Sequence, residues 1–258
     1  MKAVILCGGR GTRIRDVSEL IPKPMLPIGG QPVLWHIMQS YAAHGIKNFV
    51  LCLGYKGWVI KEYFLNYRTM MSDITVDLAD SERVTYHSDQ NEDWSVTLID
   101  TGEDTMTGGR LLAVKKYLGQ ETFCLTYGDG VADIDISGLV KHHQKSGLVA
   151  TLSSVQTLGR FGDLEIENEK VTRFQEKPLG SAPRINGGFM VFDGQRVWDY
   201  LDDRSDLILE REPLEKLASA GQLGTYMHDG YWQCMDTLRE YDQLNALWNS
   251  GRAMWKVW

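Results

Sequence analysis

The stretch Leu6-Cys7-Gly8-Gly9-Arg10-Gly11-Thr12-Arg13 is where this sequence first carries chemistry. Three glycines within four positions, directly after an apolar run, let backbone N–H groups come close to a chain of phosphates. The spacing is neither the Gly-x-Gly-x-x-Gly of dinucleotide sites nor the Walker loop, which ends in Gly-Lys followed by Ser or Thr. A glycine-rich surface turn accounts for the glycines but not for Arg10, Arg13 and the later Lys23, so phosphate binding is the better reading. In Pro22-Lys23-Pro24-Met25, prolines on both sides restrict the backbone and fix where Lys23 points, although such flanking is common in loops.

Two acidic positions invite a metal. Asp129 lies in Gly128-Asp129-Gly130 at the end of an apolar run, and Asp236 closes Tyr231-Trp232-Gln233-Cys234-Met235-Asp236. Brought together at a phosphate site they suit Mg²⁺, a hard cation that takes oxygen ligands. Each has an ordinary reading too. Asp129 is a good turn residue, and Asp236 stands beside Thr237-Leu238-Arg239-Glu240, which has capping-box spacing. Glu176-Lys177-Pro178 and Asn186-Gly187-Gly188 are individually unspecific. The histidines, adjacent His142 and His143 included, form no ligand set and no triad.

The elements that must position these residues alternate. Ala3 to Leu6 reads as a buried strand, Val33 to Ala42 as a helix stopped by Gly45, Asn48 to Leu53 as a strand, and Val59 to Tyr67 as a helix. Thr122 to Tyr127, Ser137 to Ser146 and Val149 to Ser154 continue as strand, helix and strand. This alternation predicts a single α/β domain built on a mostly parallel twisted sheet with helices on both faces, whose ligands gather at the carboxyl ends of the strands. Short alternating runs over about 70–100 predict a small antiparallel addition. From about Asp163 short strands surround the pocket, and a helix from Leu238 to Trp248 ends the fold. No internal repeat, low-complexity segment or interdomain linker is visible.

Composition narrows the function classes. At 258 residues, with net charge −7 and a sequence pI near 5.4, the chain is not built to bind nucleic acid or an anionic membrane by bulk electrostatics. Its anionic ligands must meet local positive charge. Cys7, Cys52, Cys124 and Cys234 are far apart and form no metal-type pair. With no apolar run of membrane-spanning length and no leader pattern at Met1, a cytoplasmic enzyme is expected.

Taken in order, Gly8 to Arg13, Lys23-Pro24-Met25, Gly128-Asp129, Glu176-Lys177-Pro178 and Asn186-Gly187-Gly188 resemble the sugar-nucleotide pyrophosphorylases, the sugar-1-phosphate nucleotidyltransferases. Asp100-Thr101-Gly102, Thr107-Gly108-Gly109-Arg110-Leu111, Tyr127 to Asp133 and Trp232 to Thr237 narrow the likeness to the glucose-1-phosphate cytidylyltransferase branch. The likeness runs the whole length, with Cys7 and Cys234 standing where the family usually carries alanine and proline.

The resemblance implies a Rossmann-like nucleotidyltransferase domain over 1–258, with a nucleotide-binding half of about 1–135 and a sugar-phosphate-binding half of about 136–258. It implies that Leu6, Cys7, Gly8, Gly9, Arg10, Gly11 and Thr12 hold the nucleotide with Gly128 and Arg110, while Arg13 and Lys23 act on its phosphates as the catalytic cations. Asp129 and Asp236 would hold Mg²⁺. Lys177 with Glu176 would meet the sugar phosphate, and Asn186, Gly187 and Tyr127 the sugar. CTP, or another nucleoside triphosphate, and a sugar 1-phosphate are the expected partners, in a homo-oligomer. In such a reaction the sugar phosphate's own oxygen is the nucleophile and is already ionised, so no Ser/His or Cys/His device is needed. The alternatives are the same transfer with another triphosphate or sugar phosphate, a catalytically silent sensor on this fold, and a glycosyltransferase of similar architecture.

Overall fold

The computed structural model describes residues 1–11, 21–79, 83–87, 92–156, 163–167, 170–175 and 183–258. The chain runs β1 (Ala3–Cys7), a 3-10 turn (Lys23–Met25), β2 (Pro27–Ile28), β3 (Gln31–Pro32), α1 (Val33–Ala43), β4 (Asn48–Leu53), α2 (Gly57–Leu65) and α3 (Tyr67–Met71). It continues through β5 (Ile74–Val76), β6 (Val84–Tyr86), β7 (Ser95–Asp100), α4 (Thr107–Leu118), β8 (Phe123–Tyr127), β9 (Gly130–Ala132), α5 (Ile136–Ser146) and β10 (Ala150–Gln156). The last part comprises β11 (Asp163–Glu167), β12 (Lys170–Gln175), β13 (Arg184–Phe192), a 3-10 turn (Val197–Tyr200), α6 (Glu212–Ser219), β14 (Leu223–His228), β15 (Trp232–Cys234) and α7 (Leu238–Asn249).

Alternation along β1 shows why its sequence is an unbroken apolar run. Ala3, Ile5 and Cys7 enter one core cluster while Val4 and Leu6 enter another, so both faces are covered. The first cluster is completed by Val33, Ile37 and Tyr41 of α1, Ile60 of α2, Leu139 of α5 and Leu244 of α7. The second takes Leu111, Val114 and Leu118 of α4 and Leu217 of α6. Helices therefore lie on both faces, as the alternation predicts.

Seven strands form the main sheet in the order β14-β10-β13-β8-β1-β4-β7. β1 is parallel to β4 and β8, β4 to β7, and β10 to β14; β13 alone runs against its neighbours β10 and β8. The strands before residue 135 form one side of this sheet and those after it the other. Among the described residues, no helix is long and apolar enough to cross a membrane.

The antiparallel addition is narrower than the expected 70–100. Among the described residues only β5 and β6 pair antiparallel there, Ile74 opposite Tyr86 and Val76 opposite Val84. Ser95–Asp100 instead joins the main sheet as β7, parallel to β4. Its alternating pattern is that of an edge strand, with Val96 and Leu98 packed on one cluster and Ile99 on the other.

Candidate active site

The loops following β1, β7 and β8 meet at the carboxyl ends of their strands, where ligands of such sheets bind. Gly128 N–H donates to Leu6 O at 3.0 Å and Tyr55 N–H to Gly8 O at 3.3 Å, which draws the glycine loop onto its neighbours. Gly11 takes a left-handed φ of 59°, a conformation that favours glycine. A side chain on Gly8 would run into the Arg110 guanidinium. Residues 12–20, and with them Thr12 and Arg13, lie outside the described residues, as do Glu176 and Lys177.

Arg110, in the first turn of α4, is 5 % exposed and donates five hydrogen bonds. Its Nη1 reaches Leu53 O at 3.0 Å, Thr101 Oγ1 at 2.7 Å and Gly102 O at 2.7 Å. Its Nη2 reaches Gly8 O at 3.2 Å and Glu103 O at 3.0 Å. Burial pulls its pKa down, while Cys52, Cys7 and the nearby Asp100 and Asp104 act the other way. Arg110 therefore acts as a clamp, joining the segments that end β1, β4 and β7. The start of α4 is likewise closed: Gly108 and Gly109 N–H both donate to Leu207 O, at 2.9 and 3.2 Å. This helix end has no free N–H at Gly108 or Gly109 to offer a ligand.

Lys23 is held as its proline flanks suggest. Met25 N–H donates to Pro22 O at 2.8 Å and Leu26 N–H to Lys23 O at 3.1 Å, so the lysine sits in a tight 3-10 turn. Its side chain is buried, and Nζ lies 2.6 Å from Asp129 Oδ2 and 2.5 Å from Asp236 Oδ1. Burial works against the ammonium charge, but Asp129 and the hydrogen bonds to both carboxylates hold its pKa above the ordinary lysine value.

What joins the two aspartates is the short ladder between β9 and β15, in which Gly130 pairs Cys234 and Ala132 pairs Trp232. Met235 N–H then donates to Asp129 O at 2.9 Å. Asp236 is not the helix cap: Thr237 caps α7 in a reciprocal box with Glu240, leaving the Asp236 carboxylate to Lys23. Ligand atoms of Asp129, Asp236 and Cys234 lie within 4.8 Å of one another. Burial and the adjacent carboxylates push the Cys234 thiol pKa well up, so the hard donors here are the two carboxylates. Two half-exposed carboxylate oxygens already gathered around a cation fit a divalent ion that keeps part of its water shell.

Two cavities meet at this point. The larger, about 490 Å³, is bounded by the glycine loop, Lys23, the turn Glu103–Thr107 and Arg110. Arg10 spans its rim to Glu103 at 3.1 Å and Asp104 at 2.8 Å. The smaller, about 240 Å³, is bounded by Asn186, Gly187, Gly188 and Trp232. Both share Tyr127, Asp129 and Asp236. On the smaller side Trp232 Nε1 donates to Gly187 O at 2.7 Å. A side chain on Gly187 would strike Val155 and Ser153.

Tyr127 and Asn186 thus stand beside the aspartates, as does Leu6 with Gly128 on the larger side. The buried Cys7 forms part of the core beneath them rather than of the cavity wall. Sequence reasoning did not find Glu103, Asp104 or Glu210. Glu210 takes the Tyr127 hydroxyl and Thr107 Oγ1 (2.6 Å), yet it lies in a segment, Leu201 to Arg211, that carries no motif.

A family model described as Nucleotidyl transferase matches residues 2–247. The chain is 50% identical over 259 residues to the glucose-1-phosphate cytidylyltransferase of Salmonella typhi, covering 100% of both. It is 32% identical over 192 residues to the D-glycero-alpha-D-manno-heptose 1-phosphate guanylyltransferase of Campylobacter jejuni, covering 74% of this chain and 75% of that one. Among solved structures, HddC from Yersinia pseudotuberculosis shares the fold at a TM-score of 0.69 and 24% identity, with 96% of this chain and 99% of that chain covered. With glycine loop, buried lysine and paired aspartates set between two cavities, and with matches along its whole length, this chain belongs to the nucleotidyl transferase family and groups within it with the glucose-1-phosphate cytidylyltransferases.

Proposed function

We propose that this enzyme transfers the cytidylyl group of CTP to the phosphate of α-D-glucose 1-phosphate, forming CDP-glucose and releasing pyrophosphate. The observation that carries the reading is the meeting of two cavities at Lys23, Asp129 and Asp236. The full-length likeness to a cytidylyltransferase supports the choice of base and sugar.

The glycine loop from Leu6 to Gly11 holds the nucleotide, with Arg110 fixing its shape from beneath. The phosphate oxygen of glucose 1-phosphate attacks the α-phosphorus of CTP; the bond to the departing pyrophosphate breaks, and no proton has to be removed first. The task of the protein is to align two polyanions and to stabilise the charge that develops. Lys23, with Arg13 and Lys177 as the resemblance implies, supplies fixed positive charge. Glu176, Lys177, Asn186 and Gly187 hold the sugar phosphate. Asp129 and Asp236 hold Mg²⁺, which when bound neutralises phosphate charge and acts as a template. A cytoplasmic location and a homo-oligomer belong to the same reading. The exposed Ile74, Val76, Leu78 and Val84 on and beside the β5–β6 hairpin are surface that self-association would cover.

The test is product analysis with CTP, UTP, dTTP, ATP and GTP against several sugar 1-phosphates, with and without a chelator. CDP-glucose and pyrophosphate are expected as the fastest products, and only with a divalent cation. A faster reaction with another triphosphate would contradict the assignment of the base, and turnover unaffected by chelation the assignment of the metal.

A further inference from the structure

Cys234 stands where the two cavities meet, although the transfer reaction makes no use of a thiol. Of the four cysteines, Cys7, Cys52 and Cys124 are buried, whereas Cys234 is half-buried and lines the smaller cavity beside Asp129 and Asp236. Strand geometry puts it there. Successive side chains of β15 alternate between faces, so Cys234 shares a face with Trp232, which lines the same cavity. Its cross-strand partner is Gly130, so no side chain from β9 stands opposite the thiol.

Among the described residues, Asp129, Asp236 and Cys234 form the one set of three possible metal ligands whose donor atoms all lie within 4.8 Å of one another. A Zn²⁺ bond is about 2.3 Å to sulfur and about 2.1 Å to a carboxylate oxygen, so small side-chain rotations bring all three donors onto one ion. The spot already takes a positive charge: the buried Lys23 places Nζ 2.6 Å from Asp129 Oδ2 and 2.5 Å from Asp236 Oδ1. The β9–β15 ladder that joins the aspartates also carries the thiol, and the Met235 N–H bond to Asp129 O ties the far end, so one short backbone unit holds all three donors. Three protein donors with a fourth position open are the set that catalytic zinc ions use. A thiolate among them favours a borderline ion over Mg²⁺, which demands oxygen ligands in an octahedron.

We propose that Cys234 is a third protein ligand at this junction, which makes it a site for a thiophilic divalent ion such as Zn²⁺ as well as for Mg²⁺. This rests on the reading that Asp129 and Asp236 hold a metal. Mg²⁺ leaves the thiol protonated and keeps water as its further ligands. Zn²⁺ takes both carboxylates and the sulfur. The S–H proton passes to solvent as the Zn–S bond forms, and the Lys23 ammonium gives up its place between the carboxylates. The consequence is inhibition by Zn²⁺ in competition with Mg²⁺.

The test uses the full chain, reduced and without substrates, and Co²⁺ as the probe. A thiolate on Co²⁺ gives a near-ultraviolet sulfur-to-metal charge-transfer band that oxygen ligands do not give. Wild type should develop this band, saturating at one equivalent, and Zn²⁺ should abolish it. Cys234→Ser and Cys234→Ala should show none. In calorimetric titrations the preference for Zn²⁺ over Mg²⁺ should fall at least about tenfold in Cys234→Ser, since losing a ligand costs no less than losing a group that supports one. A variant that had merely lost its fold would lose both ions alike and leave that ratio unchanged. Inhibition of Mg²⁺-supported turnover should need correspondingly more Zn²⁺ in Cys234→Ser than in wild type. No band in wild type at saturating Co²⁺, a band that persists in Cys234→Ser, or an unchanged ratio of Zn²⁺ to Mg²⁺ affinity in the folded variant would overturn the proposal. The wild-type spectrum carries the test even where a variant does not fold. Failure of the Mg²⁺ assignment would show separately, as turnover unaffected by a chelator.

Discussion

Lys23 occupies the space between Asp129 and Asp236 that a divalent ion also favours. An ion entering without nucleotide must compete with a buried ammonium. Removing that ammonium leaves two like charges facing one another, an arrangement that a divalent ion relieves. Lys23→Ala should therefore bind Mn²⁺ or Mg²⁺ more tightly than wild type in the absence of nucleotide, yet turn over about a hundredfold more slowly or worse. Calorimetric titration checks the first part, and metal affinity equal to or weaker than wild type would contradict it. Asp129→Asn and Asp236→Asn should each lower turnover and weaken the response to Mg²⁺, with the double variant little worse than either single one. A fully active Asp236→Asn enzyme with unchanged Mg²⁺ response would leave Asp129 as the single ligand. Both aspartates were legible in the sequence as metal candidates, but their meeting was not, because it depends on the β9–β15 ladder and the Met235 to Asp129 bond rather than on spacing. Glu210 left no local signal at all: its partners Thr107 and Tyr127 lie on distant elements.

At the scale of elements, two assemblies can be tested separately. Arg110 joins three loops through five hydrogen bonds from its two terminal nitrogens, packed so closely that side chains on Gly8 or Gly54 would collide with it. A lysine has three donors on a single nitrogen and no fork. Arg110→Lys should leave buried carbonyls unsatisfied, lowering stability by about 2–4 kcal/mol and raising the KM for CTP. Wild-type values for both would show that the clamp is not needed.

The second assembly is the packing of α1 against α7 and the C-terminal segment. His36 of α1 is fully buried among Trp35, Trp248, Trp255 and Trp258. Its Nε2 pairs with Ile28 O at 2.9 Å, and Nδ1 accepts from Trp255 Nε1 at 3.4 Å, so a second proton would face a donor. Burial lowers its pKa from 6.5 to about 4, against the backbone hydrogen bonds to Ile28 and Gln31. Below pH 6.5 the unfolded chain takes up a proton that the folded chain refuses. Stability is therefore lost as pH falls from 6.5 toward about 4, by up to about 3 kcal/mol. Urea unfolding at pH 7 and pH 4.5 should show a smaller drop for His36→Gln than for wild type; equal drops would contradict the assignment. The helix periodicity of α1 was visible in Val33, Leu34, Ile37, Met38 and Tyr41. That His36 is also core was not, since its neighbours come from the far end of the chain.

For the whole molecule, the sequence pattern led to the right architecture because buried parallel strands leave a strong mark: Ala3 to Cys7 and Asn48 to Leu53 are apolar on both faces. The edge strand Ser95–Asp100, half exposed, reads like an antiparallel strand, and there the sequence misleads. The two sides of the sheet, one before residue 135 and one after, bring their cavities together at Lys23, Asp129 and Asp236. The central claim is that a phosphate oxygen of the sugar 1-phosphate attacks the α-phosphorus of CTP at that junction. It is tested most directly by supplying glucose 1-phosphate labelled with heavy oxygen in its phosphate group and weighing both products by mass spectrometry. All of the label should appear in CDP-glucose, formed in equal amount with unlabelled pyrophosphate. Label in the released pyrophosphate, or hydrolysis of CTP without a joined product, would contradict the account.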